Sequence, residues 1–192
     1  YGVELEASGI NLNTARMTAD RINRDNGLHG TRKAFKAVYD GSVSNGAEFV
    51  SGIMTFGEDM PATQEAVRAI HRAGGRAHIS CGIHVHIGAK PFIENPKALV
   101  RLIRTVYRYE NQLYHALGAD TPERRGRWAR PVSEAFMARI DALGKNPTID
   151  QIRTAWYADN PHGTHRNYHN SRYRMLNLHA LFNKGTVEFR CF

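Results

Sequence analysis

The chain has 192 residues, 42% hydrophobic and 23% charged, and its 26 Lys and Arg outnumber 18 Asp and Glu to give a net charge of +8. That length suits one domain with a substantial core, and no apolar run approaches the roughly 18 residues a membrane span needs, so neither a disordered chain nor a helical membrane protein is expected. The two cysteines, Cys81 and Cys191, are too few for a disulfide framework and fall on apolar strand positions, which fits buried small hydrophobes in a reducing cytoplasm.

Tyr1 already lies in a strand-like stretch and Phe192 closes another, so the expectation is a single domain over residues 1–192, excised from a longer chain. The first strand covers residues 1–7, with Val3 and Leu5 on one face and Glu4 and Glu6 on the other. Leu12, Ala15, Ala19 and Ile22 then recur at helical spacing, and Asn26-Gly27 stops that helix. Residues 35–40 and 47–51 alternate again around Gly41-Ser42 and Asn45-Gly46. They predict a hairpin that brings Asp40 and Glu48 near its working face.

Pro61 opens a helix that Gly74-Gly75 ends. The next stretch, Arg76 to Gly88, reads as a central strand: Ala77, Ile79, Cys81, Ile83, Val85 and Ile87 share the apolar parity, and His78, Gly82, His84 and His86 share the other. Asn95-Pro96 starts the longest helix, roughly 35 Å, with Leu99, Leu102, Val106, Leu113 and Leu117 as its apolar stripe. Two shorter helices follow, at about 132–143 and 149–157, with Trp128 and Trp156 as packing residues. The polar run 160–170 is a loop and a candidate lid, and His162, His165 and His169 within it read as surface or substrate-facing residues. The last strand is Val187 to Cys191, after a turn at Asn183-Lys184-Gly185. The sum is an α+β fold: a mostly antiparallel, curved sheet with helices on its apolar face and a charged face opposite.

If the strands share one sheet, that charged face gathers Glu4, Glu6, Glu48, His84, His86, Glu188 and Arg190, with Asp40 beside them. Four carboxylates converging on one surface repel unless a cation sits among them, and oxygen donors with one imidazole suit Mg²⁺ or Mn²⁺ better than structural zinc. Arg172, Arg174 and Arg190 would then supply charge for phosphate oxygens. Taken singly, each pair is ordinary: Glu-x-Glu is usually a solvated sheet face, two nearby histidines are common in a chain with ten, and Glu188-x-Arg190 is most often a charge pair. Three pairs under one parity rule on separate strands are harder to assign to chance. The basic run Arg124 to Arg130 reads equally well as a solvated loop or as a contact for phosphate or an acidic substrate.

The motifs Y-G-V-E-L-E at 1–6, V-Y-D-G-S-V at 38–43, G-A-E-F-V-S at 46–51, C-G-I-H-V-H-I at 81–87, R-Y-R-M-L-N-L-H at 172–179 and T-V-E-F-R-C-F at 186–192 occur in an order that resembles the amidoligases. These belong to the carboxylate–amine ligase group with glutamine synthetase and glutamate–cysteine ligase. The resemblance implies a catalytic domain of that type and an ATP-dependent enzyme that phosphorylates a small-molecule or peptide carboxylate, then lets an amine displace phosphate. It makes Glu4, Glu6, Glu48, Glu188 and His84 metal ligands. It places His84 and His86 at the metal or nucleotide phosphate, Arg190 with Arg172 or Arg174 as phosphate clamps, and Asp40 near the incoming amine.

Two other readings compete. A metal-dependent hydrolase also uses His-x-His strands, but it favours a histidine-rich shell over four glutamates. A nucleic-acid-binding module would use the +8 charge, but it calls for a basic stripe with exposed aromatics rather than clustered acids.

Overall fold

Alternation in Gly2–Ser8 produces strand β1, with Val3, Leu5 and Ala7 buried on one side and Glu4 and Glu6 half-buried on the other. A computed structural model describes residues 1–190. Cys191 and Phe192, expected at the end of the last strand, lie outside the described residues. The chain divides into two units, residues 1–85 and residues 86 onward.

In the first unit Asn11 caps helix α1 (Leu12–Asp25) by accepting from the Thr14 amide. The hairpin forms as expected from β2 (Lys36–Val38) and β3 (Gly46–Val50), with Val38 opposite Glu48. Strand β3 also pairs antiparallel with β1, setting Glu6 directly across from Glu48 and Leu5 across from Phe49. Helix α2 (Met60–Arg72), with Pro61 in its first turn, packs with α1 on the apolar face of these strands. Ala15, Ala19, Ala66 and Ala69 are the small residues there, which lets the helices close on Leu5 and Phe49. At the outer end of β2, the Asn23 side chain donates to the Phe35 carbonyl and accepts from the Phe35 amide, at 2.9 and 2.7 Å.

Strand β4 (Ile83–Gly88) is shorter than the sequence pattern indicates. Arg76 pairs with Ser8 of β1 through two backbone bonds, after which the chain turns away. The turn is local: Cys81 donates to the His78 carbonyl, and the Ser80 amide donates to His78 Nδ1. Pairing resumes with Glu6, whose amide donates to the Gly82 carbonyl. The expectation that the apolar parity is the covered one fails for most of this stretch, since Ile79, Ile83 and Ile87 are exposed while His84 is 3% exposed. The break at 77–82 takes Ile79 out of any sheet. Cys81 and Val85 behave as expected, buried and packed against the first core respectively.

The second unit has its own core. Helix α3 (Lys90–Glu94) leads through Asn95, whose side chain accepts from the Ala98 amide, into α4 (Pro96–Ala116). Its buried face is Leu99, Val100, Ile103, Val106, Glu110 and Tyr114, rotated from the leucine stripe read in the sequence, and Leu117 is exposed. The sequence disguises this face because Glu110 interrupts it. Burial raises the Glu110 pKa above the ordinary carboxylate range, partly opposed by the Val132 amide donating to it at 2.9 Å.

Helices α5 (Glu134–Asp141) and α6 (Ile149–Tyr157) pack against α4, and Thr148 with Gln151 forms a reciprocal capping box at the start of α6. Strand β5 (Leu176–Asn177), helix α7 (His179–Lys184) and β6 (Thr186–Phe189) complete the unit. β5 and β6 pair antiparallel with Asn177 opposite Glu188, and β6 lies beside the second half of β4. No helix among the described residues is long and apolar enough to cross a membrane. The chain is therefore α+β, as expected from the sequence.

Candidate functional site

The polar face of the first unit is assembled by strand alternation. Glu4 and Glu6 project from β1, Glu48 from β3, and His84 from β4, all from positions opposite the apolar core. His84 Nδ1 lies 2.9 Å from Glu4 Oε2, and its Nε2 lies 3.7 Å from Glu6 Oε1, so one imidazole spans the two carboxylates of β1. The Gly82 amide donates to Glu6 Oε2 at 2.7 Å, which fixes that carboxylate from the turn preceding β4.

Asp40 follows β2. Its Oδ1 accepts from the Ser42 amide and hydroxyl at 2.7 and 2.8 Å, which holds the turn that carries it. Two sets of donor atoms in this unit lie within 4.8 Å of one another: Glu4, Glu48 and His84, and Glu6, Asp40 and Glu48. Glu48 belongs to both. Like charges directly opposite on paired strands, such as Glu6 and Glu48, are unfavourable without a compensating cation. Oxygen-rich sets of this kind, with one imidazole, fit Mg²⁺ or Mn²⁺ by donor chemistry.

The second unit holds a buried polar network around Glu188. Arg190 donates to Glu188 Oε1 at 2.6 Å and Asn177 donates to Glu188 Oε2 at 2.7 Å. His86 places Nε2 3.9 Å from the same Oε2 and shares a 2.9 Å hydrogen bond between its Nδ1 and Thr186 Oγ1. A cleft beside Glu188 is lined by Asn177, Arg172, Asn167, His179 and Lys184. Arg172 sits near the rings of Tyr168 and Tyr173 there, at 5.1 and 5.4 Å from their centroids.

Sequence reasoning missed the wall behind this cleft. His179 Nε2 faces the Arg166 carbonyl at 2.9 Å and must carry the proton; Nδ1 then accepts from the Tyr157 hydroxyl at 2.6 Å. Burial lowers the His179 pKa and raises that of Tyr157, so both groups are held neutral. His169 is likewise 5% exposed, which removes the surface half of its surface-or-substrate-facing reading. Its Nε2 faces the Asn160 carbonyl and its Nδ1 accepts from Ser171. Together with Asn183, which donates to the Thr164 carbonyl, these side chains tie the 160–170 loop down at several points. His162, His165 and Tyr168 remain exposed on it. The signal that would have revealed the wall is the helical spacing of His179 and Asn183, four residues apart.

Of the residues singled out from the sequence, the first unit brings Glu4, Glu6, Asp40, Glu48 and His84 together, and the second gathers His86, Glu188, Arg190 and Arg172. Arg174 goes elsewhere: it donates to the Pro131 carbonyl at 2.6 Å and lies over Trp156. A family model described as "Putative amidoligase enzyme" matches residues 1–192. The chain belongs to the amidoligase family. Comparison with curated proteins and with solved structures returns no match. Membership agrees with the motif order along the whole chain and points to an amide-bond-forming ligase.

Proposed function

We propose that this amidoligase is an ATP-dependent carboxylate–amine ligase that works through an acyl phosphate. The supporting observation is the pair of donor sets that share Glu48 on one sheet face, in a chain of this family. A hydrolase shell would be richer in histidine, whereas the first unit offers four carboxylates and one imidazole. The fold is proposed to follow the catalytic domains of glutamine synthetase and glutamate–cysteine ligase. A reducing cytoplasm is the matching compartment.

Glu4, Glu48 and His84, with Glu6 beside the shared Glu48, would hold Mg²⁺ or Mn²⁺. A divalent cation there supplies positive charge that offsets the carboxylates and favours binding of nucleotide phosphates. His84 can ligate only through a nitrogen that has given up its proton, and its Glu4 bond orients the ring for this. Glu188 and His86 offer further donors in the second unit, and Arg190 holds the Glu188 carboxylate aligned through a 2.6 Å hydrogen bond.

Carboxylates are poor electrophiles, so the γ-phosphoryl group is first transferred to the substrate carboxylate, releasing ADP. The amine then attacks the acyl carbon and phosphate leaves with the C–O bond pair. Arg172, on the rim of the Glu188 cleft, would stabilise charge on the transferred group, while Arg174 donates to the Pro131 carbonyl. The amine must attack as a free base. Asp40, with Oδ1 committed to Ser42, would accept its proton through Oδ2. The 160–170 loop, tied at its base, would exclude water through its exposed segment around Tyr168.

The test is purified protein with Mg²⁺ or Mn²⁺, ATP and mixtures of carboxylate and amine substrates, followed for ADP and phosphate. Release that depends on both substrates is expected. Failure to bind or consume ATP in the presence of either metal would remove this reading.

A further inference from the structure

A second charged cleft lies wholly within the second unit. It has a volume of about 670 Å³ and is lined by Arg108, Arg125, Arg130 and Arg174 on one side of the balance, with Glu110 and Glu134 on the other. We propose that it is a binding site for the phosphate or carboxylate group of a small molecule, recognised chiefly by Arg130 and Arg174.

The backbone brings these two arginines together. Residues 130 and 174 form an isolated parallel bridge, sealed by Arg130 N–H to the Tyr173 carbonyl at 3.0 Å and Met175 N–H to the Arg130 carbonyl at 2.9 Å. Residues directly paired across a bridge project to the same side, and like charges placed so are unfavourable unless an ion of opposite sign joins them. Neither guanidinium has a carboxylate within 4.0 Å among the described residues. Arg130 instead donates to the Tyr173 and Asn170 carbonyls, and Arg174 to that of Pro131, neutral acceptors that orient the two forks without cancelling their charge.

Two of the nearby acids have other partners. Asp159 is engaged by Arg139 through two bonds, and Glu110 receives the Val132 amide. Burial and the neighbouring Arg130 both lower the Arg174 pKa, outweighing the opposite pull of Asp159 and Glu110, the direction expected of an arginine pair that an anion would stabilise. Arg125 adds a third guanidinium, ion-paired with Asp120, oriented by Asn111 and lying 4.2 Å from the centroid of the Tyr114 ring. This gives the basic run that begins at Arg124 a purpose which the ligase chemistry does not use. Planar forks held by backbone carbonyls suit two-pronged recognition of an oxyanion.

The experiment is titration of the metal-free protein, in EDTA, with inorganic phosphate and separately with glutarate, followed by NMR of the arginine Nε–H signals. Saturable shifts at Arg125, Arg130 and Arg174 are expected with at least one probe, and the tighter of the two identifies the phosphate or the carboxylate source. Arg130→Gln and Arg174→Gln should each weaken binding about tenfold or more, the loss expected for a charged hydrogen bond. Glu110→Gln should tighten it. Arg108→Gln alters an exposed side chain that the fold does not need, and it should weaken binding severalfold even where a buried arginine variant fails to fold. No saturable shift with either probe, or binding indifferent to Arg108→Gln and Glu110→Gln, would overturn the proposal. Because no metal or ATP is present, the outcome is independent of the ligase reading.

Discussion

Arg190 donates to Glu188 Oε1 at 2.6 Å, and both side chains are almost wholly buried, at 6% and 3% exposure. Removing one partner of such a pair leaves an uncompensated charge in the interior, at a cost of about 3–5 kcal/mol. Arg190→Met should therefore lower stability by about that amount. Combining it with Glu188→Gln should recover part of the loss, because the second change removes the stranded charge. Urea denaturation of the three variants checks this. Strict additivity of the two single losses would mean that the pair is not coupled.

Glu48 is common to both donor sets of the first unit, whereas Asp40 belongs to one. Glu48→Gln should weaken Mn²⁺ binding more than Asp40→Asn does, with a loss of at least about tenfold. Electron paramagnetic resonance titration of Mn²⁺ measures both. Equal effects would deny Glu48 its shared position.

Gly46 begins β3 where a Cβ would lie 2.0 Å from the Ala7 carbonyl oxygen, a backbone atom of the paired strand. No side-chain rotation relieves that contact. Gly46→Ala is expected to cost about 1–3 kcal/mol or more through overpacking, and to weaken Mn²⁺ binding because Glu48 lies two residues along. A melting temperature equal to that of the parent would show that β1 and β3 can separate at this point without cost.

The lowered pKa of His179 makes stability depend on pH. The folded state binds this proton less readily than the unfolded chain, so the stabilising contribution is present above the unfolded value of 6.5 and is lost as pH falls from there through the folded value. Burial, with the charges of His169, Arg172 and Lys184, opposes its protonation and outweighs the Arg166 carbonyl, which favours it. Denaturant midpoints at about pH 7.5 and about pH 5.5 should differ less in His179→Gln than in the parent. An unchanged difference would assign the acid sensitivity to other groups.

The helices and the hairpin were legible because their signals are local: Asn11 and Asn95 cap, Pro61 and Pro96 start, and alternation around Asn45-Gly46 sets the register of Glu48. Alternation misled at residues 77–82, where a hydrogen bond from the Ser80 amide to the His78 ring outweighs an apolar pattern. The acidic cluster of the first unit followed from strand parity alone. The wall of His169, Tyr157 and His179 did not, since its bonds run to backbone carbonyls that composition cannot mark. Arg172 and Arg174, read from the sequence as alternatives for one role, have only Tyr173 between them, yet the 3₁₀ turn that ends at Arg172 and the bridge from Arg174 to Arg130 send the two to different clefts.

The fork made by Asn23 on Phe35 has a bearing on how copies of this protein behave in concentrated solution. Strand β2 is the outer strand of the first unit, and such strands recruit strands from other molecules through their outward amides and carbonyls. Asn23 occupies both groups of Phe35 from within the same chain, as a neighbouring strand would. An Asn23→Leu chain would keep the apolar contact of α1 but present that rung to any partner, and intermolecular β-assembly would begin there.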